Sequence, residues 1–338
     1  MFKGSFSSEP CIEGAQRVPK RGRRLLGFVI GVGLLVGAGV YLLRDPEQFK
    51  GFVNNIGHAP LWATVVVLVG PMVNWLCVGL CLHALVRRHG VVGRREMLSL
   101  VGSAWLLNHL PMRPGLVGRV GYHAKVNNIR VRDSIEASVW SMVHAAIANG
   151  IALAIVLLLP SDTTVLMLIV YLLIPLAVFG LLAAGAFTKS SSAGYLLLGL
   201  VFRNADVLVW MVRYAGAFAM LGITISPVQI VLITAASQIA QVIPFTGGGL
   251  GFREWGVGLA AGMTHTGAAI SMRTAIGADV INRIAETVTV IPLGLICSAL
   301  VARRVRRWND ERVGNEGSAE DESACHAENQ DEPGEPGE

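Results

Sequence analysis

Residues 60–86 read PLWATVVVLVGPMVNWLCVGLCLHALV, a run that contains no Asp, Glu, Lys or Arg. About 20 apolar residues in an α-helix cross the roughly 30 Å hydrocarbon core of a bilayer, so this run is long enough to span it. The full chain has 338 residues, of which 53% are hydrophobic and 15% charged, whereas soluble domains carry about 25% charged residues. The sequence therefore predicts an all-α polytopic membrane protein. It excludes a soluble enzyme, a secreted disulfide scaffold and a disordered regulator.

Outward from this stretch, five further apolar runs have the length of a membrane span. The six predicted spans cover residues 25–43, 60–86, 135–159, 164–187, 194–221 and 276–301. Two other apolar segments, Met97–Leu110 and Ser226–Met263, are short or interrupted by Pro and Gly. We expect them to be re-entrant or broken helices, because interrupted backbone is tolerated inside a bilayer when it is buried in protein or faces a watery cavity. An eight-span arrangement without re-entrant segments remains the alternative.

The distribution of charge predicts orientation. Lys and Arg cluster in residues 17–24, 87–95, 113–132 and 303–307, and such clusters mark cytoplasmic segments. We expect both termini to be cytoplasmic, in the cytoplasmic (inner) membrane. The basic body is expected to face anionic headgroups and no nucleic acid.

The chain divides into three predicted parts. A basic N-terminal segment, residues 1–24, precedes a membrane transport domain, residues 25–305. The remainder, residues 306–338, is an acidic cytoplasmic tail, in which residues 310–338 hold 11 acidic residues and one Arg. Low hydrophobicity and high charge of one sign predict that this tail is disordered.

The two Pro/Gly interruptions resemble each other. The first reads HLPMRPGLVGR at residues 109–119, and the second reads VIPFTGGGLGFR at residues 242–253. Each ends an apolar segment at an aliphatic-Pro step and continues to Gly-Leu, with an Arg four residues after that Gly. Three predicted spans separate them, an odd number, so two re-entrant elements would enter from opposite faces. This pattern predicts an inverted-topology repeat, which is typical of transporters.

These interruptions supply the candidate binding site. Glycine lets a headgroup approach the backbone closely, and the planar guanidinium of Arg suits a phosphate. The candidate residues are Arg113, Gly115, Arg119, Pro244, Gly248, Gly249, Gly251, Arg253, Glu254, Asp279 and Arg283. We expect Arg253 and Arg283 to bind the headgroup, with Glu254 and Asp279 orienting them. In the alternative, the glycines permit tight helix packing and the arginines extend to the membrane interface.

Four other charged residues also fall inside predicted spans: Arg203, Asp206, Arg213 and Glu286. A charge in a span is unfavourable unless it is paired or faces a cavity, so each is a functional candidate. The spacing of Arg203 and Asp206 allows a local ion pair, and Asp279, Arg283 and Glu286 share one helix face. Internal salt bridges that dock helices remain the alternative to a binding role.

The second interruption resembles a signature of the flippase-like family, which includes the transmembrane region of lysylphosphatidylglycerol synthases and related uncharacterised membrane proteins. The matching positions there are Pro244, Gly248-Gly249-Leu250-Gly251, Arg253-Glu254 and the later Arg283. A first signature is matched by Asn108, Pro111, Arg113, Gly115 and Arg119. The sequence departs from that pattern at Leu116, where the family usually has Glu, and at residues 138–144. Over residues 25–305, the resemblance implies lipid translocation.

No motif for catalysis or for metal binding is present: the sequence lacks HExxH, a paired Asp motif, a Ser-His arrangement and a GxxxxGK[ST] loop. We therefore expect no enzyme, no metal and no cofactor. The expected function is translocation of an anionic lipid or lipid-linked headgroup, with an anionic phospholipid or a polyprenyl-linked lipid as partner. The alternative is a non-catalytic membrane partner or scaffold of a lipid- or envelope-modifying enzyme. A homodimer and a complex with a lipid-modifying enzyme both remain open.

Overall fold

A computed structural model describes residues 20–110, 114–160, 164–242, 247–263 and 270–328. Within these ranges the chain forms helices joined by turns and short loops, with no β-strand. The helices are α1 (Lys20–Leu43), α2 (Pro46–Gly57), α3 (Leu61–Val86), α4 (Arg94–Leu107), α5 (Pro114–Val126), α6 (Val131–Leu158), α7 (Val165–Phe187), α8 (Ser191–Met220), α9 (Pro227–Val242), α10 (Phe252–Gly262) and α11 (Met272–Glu328). The predicted helical fold class is confirmed.

Five of the described helices are long and apolar enough to cross a membrane: α3, α6, α7, α8 and α11. Helix α1 makes a sixth candidate only when it is counted together with α2, from which it is bent by 92°. In α7, only 11% of the most apolar stretch is buried within the protein. An apolar helix with so much outward surface suits a lipid environment, where its backbone groups are paired within the helix. The structure therefore describes a helical, multi-pass membrane protein.

Helices α3 and α8 pack along each other at the centre of the molecule. A side chain at Gly216 of α8 would begin 3.1 Å from the carbonyl oxygen of Ala63 and 3.2 Å from Val67 Cγ2. Glycine at this crossing lets the two backbones approach closely, as is usual between helices in a membrane. On the same helix, Tyr214 and Phe218 are fully buried in the largest apolar core.

Two pairs of short helices form hairpins. We define the first hairpin as α4 with α5 and the second hairpin as α9 with α10. These helices have 14, 13, 16 and 11 residues, so each is at most about 24 Å long, shorter than a bilayer core. The members of each pair pack against each other. The predicted interruptions therefore occur, although residues 111–113 and 243–246 lie outside the described ranges.

The loops gather at two ends of the molecule. At one end, Arg273 Nη1 of α11 donates to Asp45 Oδ2 at 2.8 Å, and Asn55 donates to the carbonyl oxygen of Leu221 at 2.9 Å. These contacts join Asp45 and α2 to the start of α11 and to the end of α8. None of these segments belongs to the predicted cytoplasmic clusters.

At the other end, segments from the basic clusters meet. Arg88 Nε donates to Ser192 Oγ at 3.1 Å, and its Nη1 lies 3.7 Å from Glu136 Oε1. Lys125 Nζ lies 5.1 Å from the ring centroid of Trp308. Segments that belong to or adjoin three of the four predicted cytoplasmic clusters, residues 87–95, 113–132 and 303–307, therefore share one end of the helical body.

The last helix differs from the sequence-based expectation. α11 is described as one helix to Glu328, so residues 306–328 are helical where we expected disorder. Once a helix is nucleated, each further residue adds one backbone hydrogen bond, and the long apolar span before residue 306 supplies that nucleus. Low hydrophobicity removes the drive to pack into a core, but it does not end a helix.

Candidate functional site

A central cavity of about 530 Å³ lies among α3, α4, α5, α6, α8, α9 and α11. Asn108 and Arg119 line it from the first hairpin, close to the interruption between α4 and α5. Gln238 and Gln241 line it from the last turns of α9, close to the interruption in the second hairpin. The central cavity is therefore bounded, on each hairpin, by residues that lie next to its interruption.

Arg119 is the cation that defines the chemistry of the central cavity. Its side chain is buried, and its Nη2 donates to Ser138 Oγ of α6 at 2.7 Å. The Ser138 hydroxyl in turn donates to the carbonyl oxygen of Ser134 at 2.9 Å. Among the described residues, no Asp or Glu side chain forms an ion pair with Arg119. A buried guanidinium without a carboxylate partner favours an anion in the adjacent space.

A second arginine at the central cavity is already paired. Arg203 Nη1 donates to Asp206 Oδ2 at 2.9 Å, one helical turn away on α8, as the sequence spacing predicts. Asn74 of α3 donates to the other carboxylate oxygen, Asp206 Oδ1, at 2.7 Å. This pair therefore adds polarity to the wall of the cavity without adding net charge.

Arg253 lies behind the central cavity, in the first turn of α10, and is 1% exposed. Its Nε donates to Asp279 Oδ1 and its Nη1 donates to Glu286 Oε2, both at 2.8 Å. Its guanidinium carbon lies 4.9 Å from the ring centroid of Trp210. Tyr214 Oη donates to the same Asp279 oxygen at 2.6 Å. Arg253 thus ties the second hairpin to α11 and to the aromatic face of α8.

Arg283 supports the turn of the second hairpin. Its Nε lies 2.5 Å from Glu254 Oε1, and its Nη2 donates to the carbonyl oxygen of Gly248 at 3.3 Å. Gly248 and Gly249 both have positive φ angles, 60° and 75°, so this carbonyl belongs to backbone that has left the helix. Arg283 therefore supplies a partner for a backbone group that the interruption frees.

Arg213 connects three helices. Its Nη1 donates to Asn74 Oδ1 of α3 at 2.9 Å, and its Nη2 donates to the carbonyl oxygen of Asn282 on α11 at 3.2 Å. The guanidinium stacks on Trp210, with 4.2 Å between its carbon and the ring centroid. Gly70 of α3 makes room for this side chain, because an added Cβ there would overlap Arg213 Cγ and Cδ.

Together these ion pairs form one buried network whose formal charges cancel. Each arginine in it lies within 4.0 Å of a carboxylate, and the four arginines match four carboxylates: Arg203, Arg213, Arg253 and Arg283 with Asp206, Glu254, Asp279 and Glu286. A balanced network of buried charges can stabilise helix docking, whereas loss of one member leaves an uncompensated charge. Arg119 lies outside this balance.

The first hairpin is held to α11 by a smaller polar cluster. Glu96 Oε1 accepts hydrogen bonds from Tyr122 Oη at 2.9 Å and from Asn127 Nδ2 at 3.0 Å. Its other oxygen lies 3.0 Å from Arg304 Nη2 of α11. Burial and the bond to Glu96 raise the pKa of Tyr122, so the phenol keeps its proton and remains a donor.

The predicted site residues separate into several roles. Arg119 lines the central cavity, while Arg253, Glu254, Asp279 and Arg283 belong to the buried network. Arg253 is not among the residues that line the cavity. Asp279 pairs with Arg253 and Glu254 pairs with Arg283; that these carboxylates orient the arginines toward a headgroup stays a prediction. Headgroup binding by either arginine stays a prediction.

The predicted glycines lie at close helix contacts or in turns of the backbone. An added Cβ at Gly115 would lie 2.6 Å from Ala104 Cα, so this glycine lets α5 contact α4. Gly251, with φ of 76°, precedes α10 and would overlap Leu34 of α1 if it carried a Cβ. Arg113 and Pro244 lie outside the described ranges.

Several site residues are not candidates of the sequence analysis: Asn74, Ser138, Trp210 and Tyr214. Asn74 had a usable signal, because a polar amide within an apolar span needs a buried partner. Trp210 and Tyr214 carry no such signal, since aromatic residues are ordinary in helix cores. Their position beside two guanidiniums depends on how α8 is rotated.

Metal-binding chemistry finds no support in the described part of the chain, where no three His, Cys, Asp or Glu side chains converge as ligands. The buried thiols Cys77, Cys81 and Cys297 are not joined in disulfides. Comparison of the chain with protein-family models, with curated proteins and with solved structures found no match.

Proposed function

We propose that the protein translocates an anionic lipid, or a lipid-linked anionic headgroup, between the leaflets of the membrane. The observation that supports this most directly is Arg119, a buried cation of the central cavity that pairs with no carboxylate in the described part of the chain. A phosphate there would gain charge-assisted hydrogen bonds in a low-dielectric space. Amide side chains on both hairpins, Asn108 and Gln238, offer further hydrogen bonds to a polar headgroup.

We further propose that the hairpins are re-entrant and related as an inverted repeat. The three long helices α6, α7 and α8 separate them along the chain. If each of the three crosses the membrane, the first hairpin enters from the cytoplasmic face and the second from the opposite face. A cavity lined by two such hairpins is reachable from either side in turn, which is the layout of alternating access. The resemblance of both interruptions to the flippase-like family supports the same proposal.

In this proposal the buried network is the frame of the site. Arg253 and Arg283 hold the second hairpin against α11, and their charges are matched within the protein. Of the two described arginines that line the cavity, Arg203 is paired with Asp206, so an anionic headgroup is attracted to Arg119. This assigns headgroup recognition to the first hairpin and positioning to the arginines of the second.

The test compares two single-charge removals in reconstituted vesicles. We expect Arg119→Gln to slow flipping of a fluorescent phosphatidylglycerol by about tenfold or more, the effect of losing one charge-assisted hydrogen bond. Arg132→Gln is the matched control, since Arg132 is an exposed Arg on neighbouring α6. It should flip at the wild-type rate. Thermal unfolding and gel filtration of both variants check that each is folded.

Three outcomes would contradict the proposal. Unchanged flipping by folded Arg119→Gln protein would remove the headgroup role of Arg119. Equal flipping of phosphatidylglycerol and phosphatidylcholine would show that the cavity does not select anions. Wild-type protein that flips neither lipid would instead favour a scaffold for an envelope-modifying enzyme, because a scaffold needs no transport path.

A further inference from the structure

A second, smaller cavity of about 310 Å³ lies beside the first hairpin. We call it the lateral groove. It is bounded by α5 on one side and by Val301 and Val305 of α11 on the other, and α4 forms its floor with Leu100 and Leu107. α5 and α11 both pack against α4, so the groove runs between them.

Three glycines form the α5 wall at intervals of three residues: Gly115, Gly118 and Gly121. An added Cβ at Gly118 or Gly121 would meet no heavy atom within 4 Å. Close helix packing therefore does not require glycine at these two positions. Their absent side chains instead leave an open slot along the exposed side of α5.

The lateral groove and the central cavity share Arg119 and Ala104 in their linings. A molecule in the groove therefore lies next to Arg119, which also lines the central cavity. At the other end of the groove, Lys125 contributes a second cation and stacks over Trp308. The groove is thus an apolar slot with positive charge beside it and at one end, which complements an anionic lipid.

The length of the groove also suits one leaflet. From Gly115 to Val126, α5 rises by about 16 Å, close to the roughly 15 Å that one leaflet contributes to a 30 Å hydrocarbon core. Val305 lies among the basic residues at the end of the span, so the groove begins near the predicted cytoplasmic surface and runs inward.

We propose that the lateral groove holds one acyl chain of an anionic glycerophospholipid whose phosphate contacts Arg119. This rests on the proposed function and narrows its substrate class to glycerophospholipids. The acyl chain of the lipid stays outside the helical body while the headgroup passes through the central cavity. Bulk lipid of any headgroup, and a helix of another protein, are the competing occupants. The groove favours the anionic lipid because Arg119 is shared between the two spaces.

Photo-crosslinking of the full-length protein in nanodiscs tests the proposal. The probes are phosphatidylglycerol and phosphatidylcholine that carry the same diazirine-labelled acyl chain. We expect phosphatidylglycerol to label peptides that contain residues 115–126 and 298–308. Gly118→Leu should reduce this labelling by about tenfold, the effect of losing contact with a few methylenes. Gly150→Leu is the matched control, because Gly150 of α6 is exposed and has the same open space at its Cβ.

The outcomes separate the groove from transport. Equal labelling by both probes, unaffected by Arg119→Gln, would identify ordinary surrounding lipid and overturn the proposal. Labelling that persists in folded Gly118→Leu and Gly121→Leu proteins, or crosslinks to another protein in place of lipid, would also overturn it. Specific labelling by a protein that does not flip lipid would support the groove and contradict the proposed function. Flipping without labelling of these peptides would contradict the groove alone.

Discussion

At the residue scale, each charged side chain of the buried network depends on an oppositely charged neighbour for its stabilisation. Arg253 is 1% exposed and Asp279 is fully buried, so neither charge is solvated by water. We expect Asp279→Asn to lower the free energy of unfolding by about 3–5 kcal/mol, because it leaves a buried guanidinium with one carboxylate fewer. Unfolding of purified protein in mixed micelles, followed by circular dichroism, measures this loss.

A double variant gives the matched control for this loss. Arg253→Met with Asp279→Asn removes both charges, so it should be less destabilised than the sum of the two single variants. Strictly additive losses would show that the pair contributes no coupling. Lipid flipping by the double variant, if it folds, then shows how much of the role of Arg253 is structural.

Also at this scale, the sequence predicts which charged residues lie within the spans, but not which of them form ion pairs with one another. Asp279 and Glu286 lie seven residues apart, so their common face follows from helical periodicity. That both accept from Arg253 depends on the approach of α10 to α11, which no sequence spacing encodes. Arg119 was expected among several arginines. Which of these arginines pairs with no described carboxylate depends on the same packing of helices.

At the scale of elements, two glycines of the second hairpin have different roles: one is required by backbone conformation alone, and the other by both conformation and packing. Gly248 and Gly251 both have positive φ, but only Gly251 contacts α1, where Trp255 of the next turn also donates to the Leu34 carbonyl at 3.0 Å. We expect Gly248→Ala to destabilise by about 1–2 kcal/mol, the price of a left-handed conformation for Ala. Gly251→Ala should cost about 1–3 kcal/mol more, because its methyl group also overlaps α1.

Thermal unfolding of both variants in one detergent measures this difference. Gly248→Asn is a useful control, since Asn tolerates the left-handed region better than Ala. Equal melting temperatures for Gly248→Ala and Gly251→Ala would contradict the packing of α10 on α1.

The elements themselves were the most predictable feature. Long apolar runs place α3, α6, α7, α8 and the start of α11 within a few residues of their predicted limits, because length and hydropathy alone define such helices. The interruptions were visible as Pro and Gly within apolar segments. The continuation of α11 to Glu328 was not visible in the sequence. A polar, charged composition predicts that a segment has no hydrophobic core, but it does not predict where a helix ends.

At the scale of the whole molecule, the contacts between loops constrain topology. Arg273 meets Asp45 at one end, while Arg304 meets Glu96 at the other. One continuous helix, α11, connects the two ends. If α11 crosses the membrane, then every loop that contacts Arg273 lies on one side and every loop that contacts Arg304 lies on the opposite side. The positive-inside rule predicts that the Arg304 side is cytoplasmic.

Cysteine labelling from outside intact cells tests this arrangement together with the inverted repeat. In a background whose five native cysteines are replaced, Met263→Cys at the end of the second hairpin should react with a membrane-impermeant maleimide. Lys125→Cys at the end of the first hairpin, and the control Lys189→Cys between α7 and α8, should react only after permeabilisation. This follows because three crossings separate the hairpins, so their open ends face opposite sides.

Reaction of Lys125→Cys and Met263→Cys from the same side would require an even number of crossings between them. It would contradict both the inverted repeat and a cavity that opens to each face in turn.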